Sequence, residues 1–146
     1  MTRKDPARAA AAAPGRAEPG PGGIPAPRYP AKLATATLVQ SLIAGQNLAP
    51  RAATHAAFAA ANRAIVERAR ADPTLKGMGT TLALAWFQGD RVSIAHVGDS
   101  RVYRWRAGRL ERLTTDHSFV QSQLSAGQMT SEEARVSRSR QLVTRV

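Results

Sequence analysis

At Gly77 the spacing of apolar residues changes from a helical period to an alternating one, and that change limits the folds open to this chain of 146 residues. Before it, Leu38, Val39, Leu42 and Ile43 recur at helical intervals, with Gly45 placed where a helix would end. A second helix is predicted after "QNLAP", with Asn47 as N-cap and Ala57, Phe58, Ala61, Ala64 and Ile65 as one apolar stripe, stopping at "ADP" (71–73). After Gly77, "TTLALAWF" and "VSIAHV" are β-prone runs joined by "QGDR", a hairpin turn signal. "RVYRWR" reads as a third strand with Tyr103 and Trp105 on one face and Arg104 and Arg106 on the other, turning at "AGR" into "LERLT". The expectation is a meander of three or four antiparallel strands, half-buried, beside a pair of helices: an α+β chain.

Two further helices are predicted downstream. "TDHS" (115–118) opens one through "FVQSQL", and Thr130 with Glu133 in "TSEEAR" has the spacing of a capping box. Asp116 and His117 are therefore read as part of a helix start, where an Asp or Ser accepts backbone N–H bonds, rather than as catalytic residues, and His55, with no metal-type partner at the matching spacing, as a surface or core-edge residue.

Seven of the nine prolines fall in the first thirty residues, among "AAAAAP" and "EPGPGG", where no apolar period recurs. Residues 1–32 are accordingly expected to be a disordered leader, and 33–146 the folded part. No run approaches the roughly 20 apolar residues of a membrane span, and no secretory signal is present, so a cytoplasmic protein without a membrane partner is expected. The absence of Cys removes disulfides, thiolate catalysis and Cys-based zinc sites.

The formal net charge of +11 raises the question of nucleic acid. Basic residues exceed acidic ones by six to two in residues 1–32, five to two in 33–79 and ten to six in 80–146, so the excess is spread along the chain. With 5% aromatic residues there is little stacking surface, and nucleic acid is not an expected partner.

The motifs "GxxxxGK", "GxSxG" and "HExxH" are missing, which removes phosphate-loop, serine-hydrolase and zincin chemistry. Asp99 in "HVGDSR" stands behind a glycine between two predicted strands, where a carboxylate is cheaply presented. Metal-assisted hydrolysis would need several such carboxylates around a bridging water.

The stretch "GMGTTLALAWFQGDRVSIAHVGDSRVYRWRAGRLERLTTDHSFVQSQLSAGQMTSEEAR", ending in "RQLVTR", resembles the middle of bacterial PPM-type (type 2C) metal-dependent serine/threonine protein phosphatases, and the similarity extends back through "ANRAIVERA" to "KLATATLVQSL". The resemblance implies part of an α-β-β-α sandwich, two antiparallel sheets flanked by helices. It implies a reaction in which water bridging two Mn2+ or Mg2+ ions attacks phosphoserine or phosphothreonine. Asp99 matches the Asp at a third metal position, and residues 120–146 match a flap beside the substrate cleft, where Arg138 and Arg140 could meet phosphate. Phosphoserine and phosphothreonine proteins, and a Ser/Thr kinase, are the implied partners.

Departures from the family pattern are equally specific. Aligned without gaps, the "DGMGG" loop falls on "PGPGG" (19–23): Gly20 survives at its place in the metal loop, but Pro19 stands where the metal-bridging Asp belongs. The earlier acidic motif would precede Met1, and the later "SDG" and "DN" aspartates would follow Val146. No catalytic residue is thus assigned, and metal binding by this chain is not expected without those ligands. The sequence is expected to be a truncated or mis-framed phosphatase piece, inactive alone, with open strand edges and an uncovered sheet face. The alternative is a pseudophosphatase that binds phosphoproteins or a kinase without hydrolysis.

Overall fold

The computed structural model describes residues 9–11 and 28–145. Helices α1 (Arg28–Ala44) and α2 (Pro50–Ala71) form an antiparallel pair. At its open end Arg68 Nε donates to Tyr29 Oη at 2.9 Å, and the guanidinium lies over the Tyr29 ring. Ala31, Ala34, Leu38 and Leu42 line the buried side of α1, facing Ala53, Ala57, Ala61 and Ile65 of α2. Alanine at most of these positions lets the two backbones approach closely.

The predicted helices exist, with two corrections. Helix α1 starts at Arg28 rather than Leu33, because Pro30 lies in its first turn, where the missing N–H would have had no helical partner. Helix α2 is capped at Ala49 with no side-chain bond, and Pro50 sets its first turn; Asn47 has no capping role. Asp72 ends α2 and caps the following turn, Pro73–Leu75, by accepting from Thr74 N at 3.1 Å and Thr74 Oγ1 at 2.6 Å. These bonds hold its carboxyl below its ordinary value.

Three strands form the main sheet in the order β1 (Ala9–Ala11), β2 (Leu82–Gln88), β3 (Arg91–Val97), all antiparallel. The expected hairpin about "QGDR" is β2–β3, with Gln88 opposite Arg91. Strand β1 lies within the stretch read as a leader: Ala9–Ala11 pairs with Trp86, Ala85 and Leu84. A sheet edge accepts any extended backbone, so the apolar periodicity used to delimit the folded part gave no sign of it. The remaining residues of that stretch, 1–8 and 12–27, lie outside the described residues.

Leu82, Leu84 and Trp86 point to the helix pair and complete its core with Leu75 and Met78. Alternation puts Ala83, Ala85 and Phe87 on the opposite face, beside Val92, Ile94 and His96 of β3. Phe87 and Val92 are about half exposed there, matching the expected uncovered apolar face.

The meander does not continue. Strands β4 (Tyr103–Arg106) and β5 (Arg109–Arg112) pair with each other in a separate sheet, turning at Ala107–Gly108, both with positive φ. The half-buried alternation expected of "RVYRWR" is also corrected, since all eight strand residues of the hairpin are exposed. Arg104 faces Glu111 and pairs with it across the strands. Helices α3 (Phe119–Ser125) and α4 (Ser131–Val136) and the turn Arg138–Gln141 follow, and the chain then returns to Ser118 through a bridge to Val143. Ser118 caps α3, and the Thr130–Glu133 capping box is present at α4. Among the described residues no helix is long and apolar enough to cross a membrane.

Leu84 is 1% exposed and Trp105 69%. Leu84→Ala should therefore cost about 2–5 kcal/mol of unfolding free energy through the cavity it leaves. Trp105→Ala should stay within about 0.5 kcal/mol. Urea unfolding of the two variants, followed by circular dichroism, measures this contrast.

Candidate functional site

The loop after β3 carries "GDSR", and its partner is the segment after β5. Counted outward from the Ala107–Gly108 turn, equal steps reach Gly98 on one side and His117 on the other, and the two are bonded: His117 N donates to Gly98 O at 2.9 Å and Gly98 N to His117 Nδ1 at 3.3 Å. Between these ends Leu113 N donates to Val102 O at 2.8 Å, and Val102 N to the buried Thr114 hydroxyl at 3.0 Å. The β4–β5 ladder thus extends as an irregular zipper through the whole "GDSR" loop.

Arg101 closes the zipper diagonally. Its Nε donates to Asp116 Oδ1 at 2.9 Å and its Nη2 to Oδ2 at 2.6 Å, while Arg112 Nη1 stands 3.9 Å from the same carboxylate. The Arg101 hydrogen bond holds the Asp116 carboxyl below its ordinary value, outweighing partial burial. Asp116 is therefore a partner of the "GDSR" arginine and does not cap α3, which Ser118 does. Sequence reading missed this pairing; the signal was the equal spacing of the two motifs about the "AG" turn.

A third motif meets the other two. Gly98 has φ +91°, and a Cβ built there would lie 2.3 Å from Thr81 Cγ2 of "GMGTT". Thr81 Oγ1 is also 2.6 Å from Ser100 Oγ. On the far side the His96 ring stacks on that of His117 with centroids 4.5 Å apart, and His96 Nε2 bonds Thr115 O at 2.8 Å.

Asp99 sits at the exposed tip of this junction, with no hydrogen bond or ion pair among the described residues. Arg138 and Arg140 lie exposed in the turn after α4, and no bond joins them to Asp99. Gly20 lies outside the described residues. His55 is exposed on α2.

The other carboxylates are mostly committed: Asp72 to Thr74, Asp116 to Arg101, Glu111 to Arg104 and Glu133 to Thr130. Among the described residues no three His, Asp or Glu side chains gather as a metal-holding group. A pair of divalent cations, which needs several oxygen ligands each, does not fit this donor set.

"GMGTT", "GDSR" and "TDH" thus meet around Gly98, Ser100 and Arg101 in an α+β layer, with Asp99 exposed beside them, and the family of this layer is that of the protein phosphatases of the 2C type. The sequence profile of that family, protein phosphatase 2C, matches residues 19–144, and this chain belongs to it. The serine/threonine protein phosphatase PstP of Mycobacterium tuberculosis is 43% identical over 90 residues, covering 62% of this chain and 18% of PstP. The serine/threonine phosphatase stp of Listeria welshimeri is 44% identical over 73 residues, half of this chain and 29% of stp. The chain thus spans less than a third of the length of these relatives. The crystal structure of M. tuberculosis PstP/Ppp superposes with a TM-score of 0.69 at 30% identity, over 95% of this chain and 67% of that one. The PstP catalytic domain in complex with two manganese ions gives 0.61 at 31%, over 88% and 64%.

Two variants test the junction. Gly98→Ala should lose about 2–4 kcal/mol, from strain at positive φ together with the collision with Thr81. Gly89→Ala, also at positive φ (+61°) but with nothing within 4 Å, should lose only about 1–2 kcal/mol. Denaturant midpoints of the pair separate packing from backbone strain. Asp116→Asn should cost about 1 kcal/mol near neutral pH, a modest figure because solvent screens the half-exposed Arg101. The Asp116 contribution is present above the ordinary Asp value of about 3.9 and is lost as pH falls through the lower folded-state value. Acid unfolding of the native chain below pH ~4 should accordingly be steeper than that of the variant.

Proposed function

We propose that this chain forms part of a metal-dependent serine/threonine protein phosphatase unit and does not itself hydrolyse phosphoserine or phosphothreonine. The observation that carries the proposal is the junction itself, where "GMGTT", "GDSR" and "TDH" meet beside Asp99, a carboxylate with no partner among the described residues. Membership of the protein phosphatase 2C family and the likeness to PstP support the phosphatase part of this reading. Phosphorylated proteins are the substrate class of the complete unit, the opposing Ser/Thr kinase is a candidate partner, and the cytoplasm the proposed compartment.

Asp99 is assigned to the third metal position. A lone exposed carboxylate offers one ligand to Mn2+ or Mg2+, too few to lower the pKa of a bound water or to clamp a phosphoryl group in line. No hydrolytic step is therefore assigned to residues of this chain. Arg138 and Arg140 supply exposed positive charge that suits a phosphate-bearing peptide at the flap, consistent with their sharing one short turn.

With a phosphothreonine peptide and Mn2+, this chain should show no phosphate release above background. In NMR spectra, Mn2+ should broaden resonances only around 98–100, and Asp99→Asn should abolish that broadening. Turnover, or broadening centred on another set of carboxylates, would contradict the assignment. Phosphopeptide binding without turnover would move the reading to the pseudophosphatase alternative.

A further inference from the structure

The stacked histidines have no part in the phosphatase reading above. We infer that His117, stacked on His96 and bonded through Nδ1 to the Gly98 amide, is a pH-sensitive latch that fastens the Gly98 end of the "GDSR" loop while its ring is neutral and loosens that end on protonation.

The bonding pattern fixes the roles of the ring nitrogens. His96 Nε2 faces the Thr115 carbonyl at 2.8 Å and must donate to it. His117 is the opposite case. Its Nδ1 accepts the Gly98 N–H, so the neutral ring carries its proton on Nε2, and a second proton has to go onto Nδ1 against the amide hydrogen. Protonation therefore removes one of the two bonds between Gly98 and His117. It also sets a positive ring 4.5 Å from a second titratable ring.

The charges around His117 come from every segment packed on it. His96 approaches from β3 and Arg145 from the returning chain, both opposing protonation. Asp116, its neighbour, favours protonation, but that carboxylate is already engaged by Arg101 and approached by Arg112. Burial is the largest influence, and together these push His117 below its ordinary value. An unfolded histidine takes up its proton near pH 6.5, so between that pH and the folded value the open form binds more protons. The latch contributes its full stability above pH ~6.5 and loses it progressively as pH falls below.

The effect is local because the other bonds of the zipper, Arg101 to Asp116, Val102 to Thr114 and Leu113 to Val102, do not involve the His117 ring. Beyond the zipper, the loop is held by Gly98 against Thr81 and by Ser100 on Thr81. His117 O also accepts from Thr144 N at 2.8 Å, so opening would reach the returning segment 142–144. Asp99 sits next to Gly98, so latch opening changes how firmly the tip is presented whether or not it binds a metal.

The experiment is hydrogen exchange and histidine-ring NMR on the full chain between pH 7.5 and 5, without metal or phosphopeptide, which keeps its outcome separate from the phosphatase reading. Protection of the Gly98 amide, corrected for intrinsic exchange, should stay constant above pH ~7. Below both titration points it should have fallen by about tenfold for each pH unit by which folded His117 titrates under its ordinary value. His117→Asn keeps an acceptor oxygen at the Nδ1 position and cannot titrate in this range, so its Gly98 protection should be independent of pH. Constant protection in the native chain while His117 titrates would overturn the latch, a result that needs no variant. The same pH dependence in His117→Asn as in the native chain would also overturn it.

Discussion

Gly98 lies against Thr81 at a distance no side chain could tolerate, and the arrangement of this part of the molecule depends on that approach. The left-handed backbone at Gly98 turns the chain out of β3 and away from the sheet. This is why the next strand pairs with its own successor in a second sheet instead of extending the meander. Once the loop has turned, its polar groups need partners, and the segment after β5 meets them one by one: Thr114, Asp116 and His117 each bond a residue between Gly98 and Val102. Three motifs far apart in sequence become one structure through a missing Cβ and the hydrogen bonds that follow from it.

What was legible in the sequence follows from which interactions are local. The helix pair could be read because α1 and α2 each bury one stripe at helical spacing, and the Thr130–Glu133 capping box and the β2–β3 turn because their partners lie within a few residues. Ile43 was included in the α1 stripe but is exposed, since the true stripe runs Ala31, Ala34, Leu38, Leu42 and relies on alanines that hydropathy undervalues. The Arg101–Asp116 pair and the stack of His96 on His117 could not be read in this way. They join residues across an irregular loop, and only the register of the β4–β5 hairpin carries the information. Asp99 could be singled out by its place behind a glycine between two predicted strands, and it is exposed there, whereas a metal role for it came only from the family resemblance.

The exposed surfaces have a common origin. The helix pair covers one face of β2–β3; on the other, Phe87 and Val92 remain half exposed, and Trp105 and Leu110 of the separate hairpin are more exposed still. In a two-sheet sandwich such residues would face a second layer. PstP, which shares this fold over nearly all of the present chain, has a further third of its own structure outside the superposition. The apolar faces are those of a layer shaped for packing rather than for water.

Asp99 itself depends on a salt bridge in which it takes no part. Arg101 is only two residues away, in a chain where basic side chains outnumber acidic ones by 21 to 10, and would be the natural counter-ion for it. Asp116 occupies that guanidinium with two short bonds, a geometry that a planar fork and a carboxylate satisfy fully, so Arg101 has little left to offer Asp99. The Arg101–Asp116 pair thus both ties the loop down and leaves the tip carboxylate without a partner among the described residues. Removing Asp116 would act on Asp99 by releasing an arginine, an electrostatic consequence separate from the lost hydrogen bonds. The zipper therefore gives the loop its shape and determines which of its charges faces solvent uncompensated.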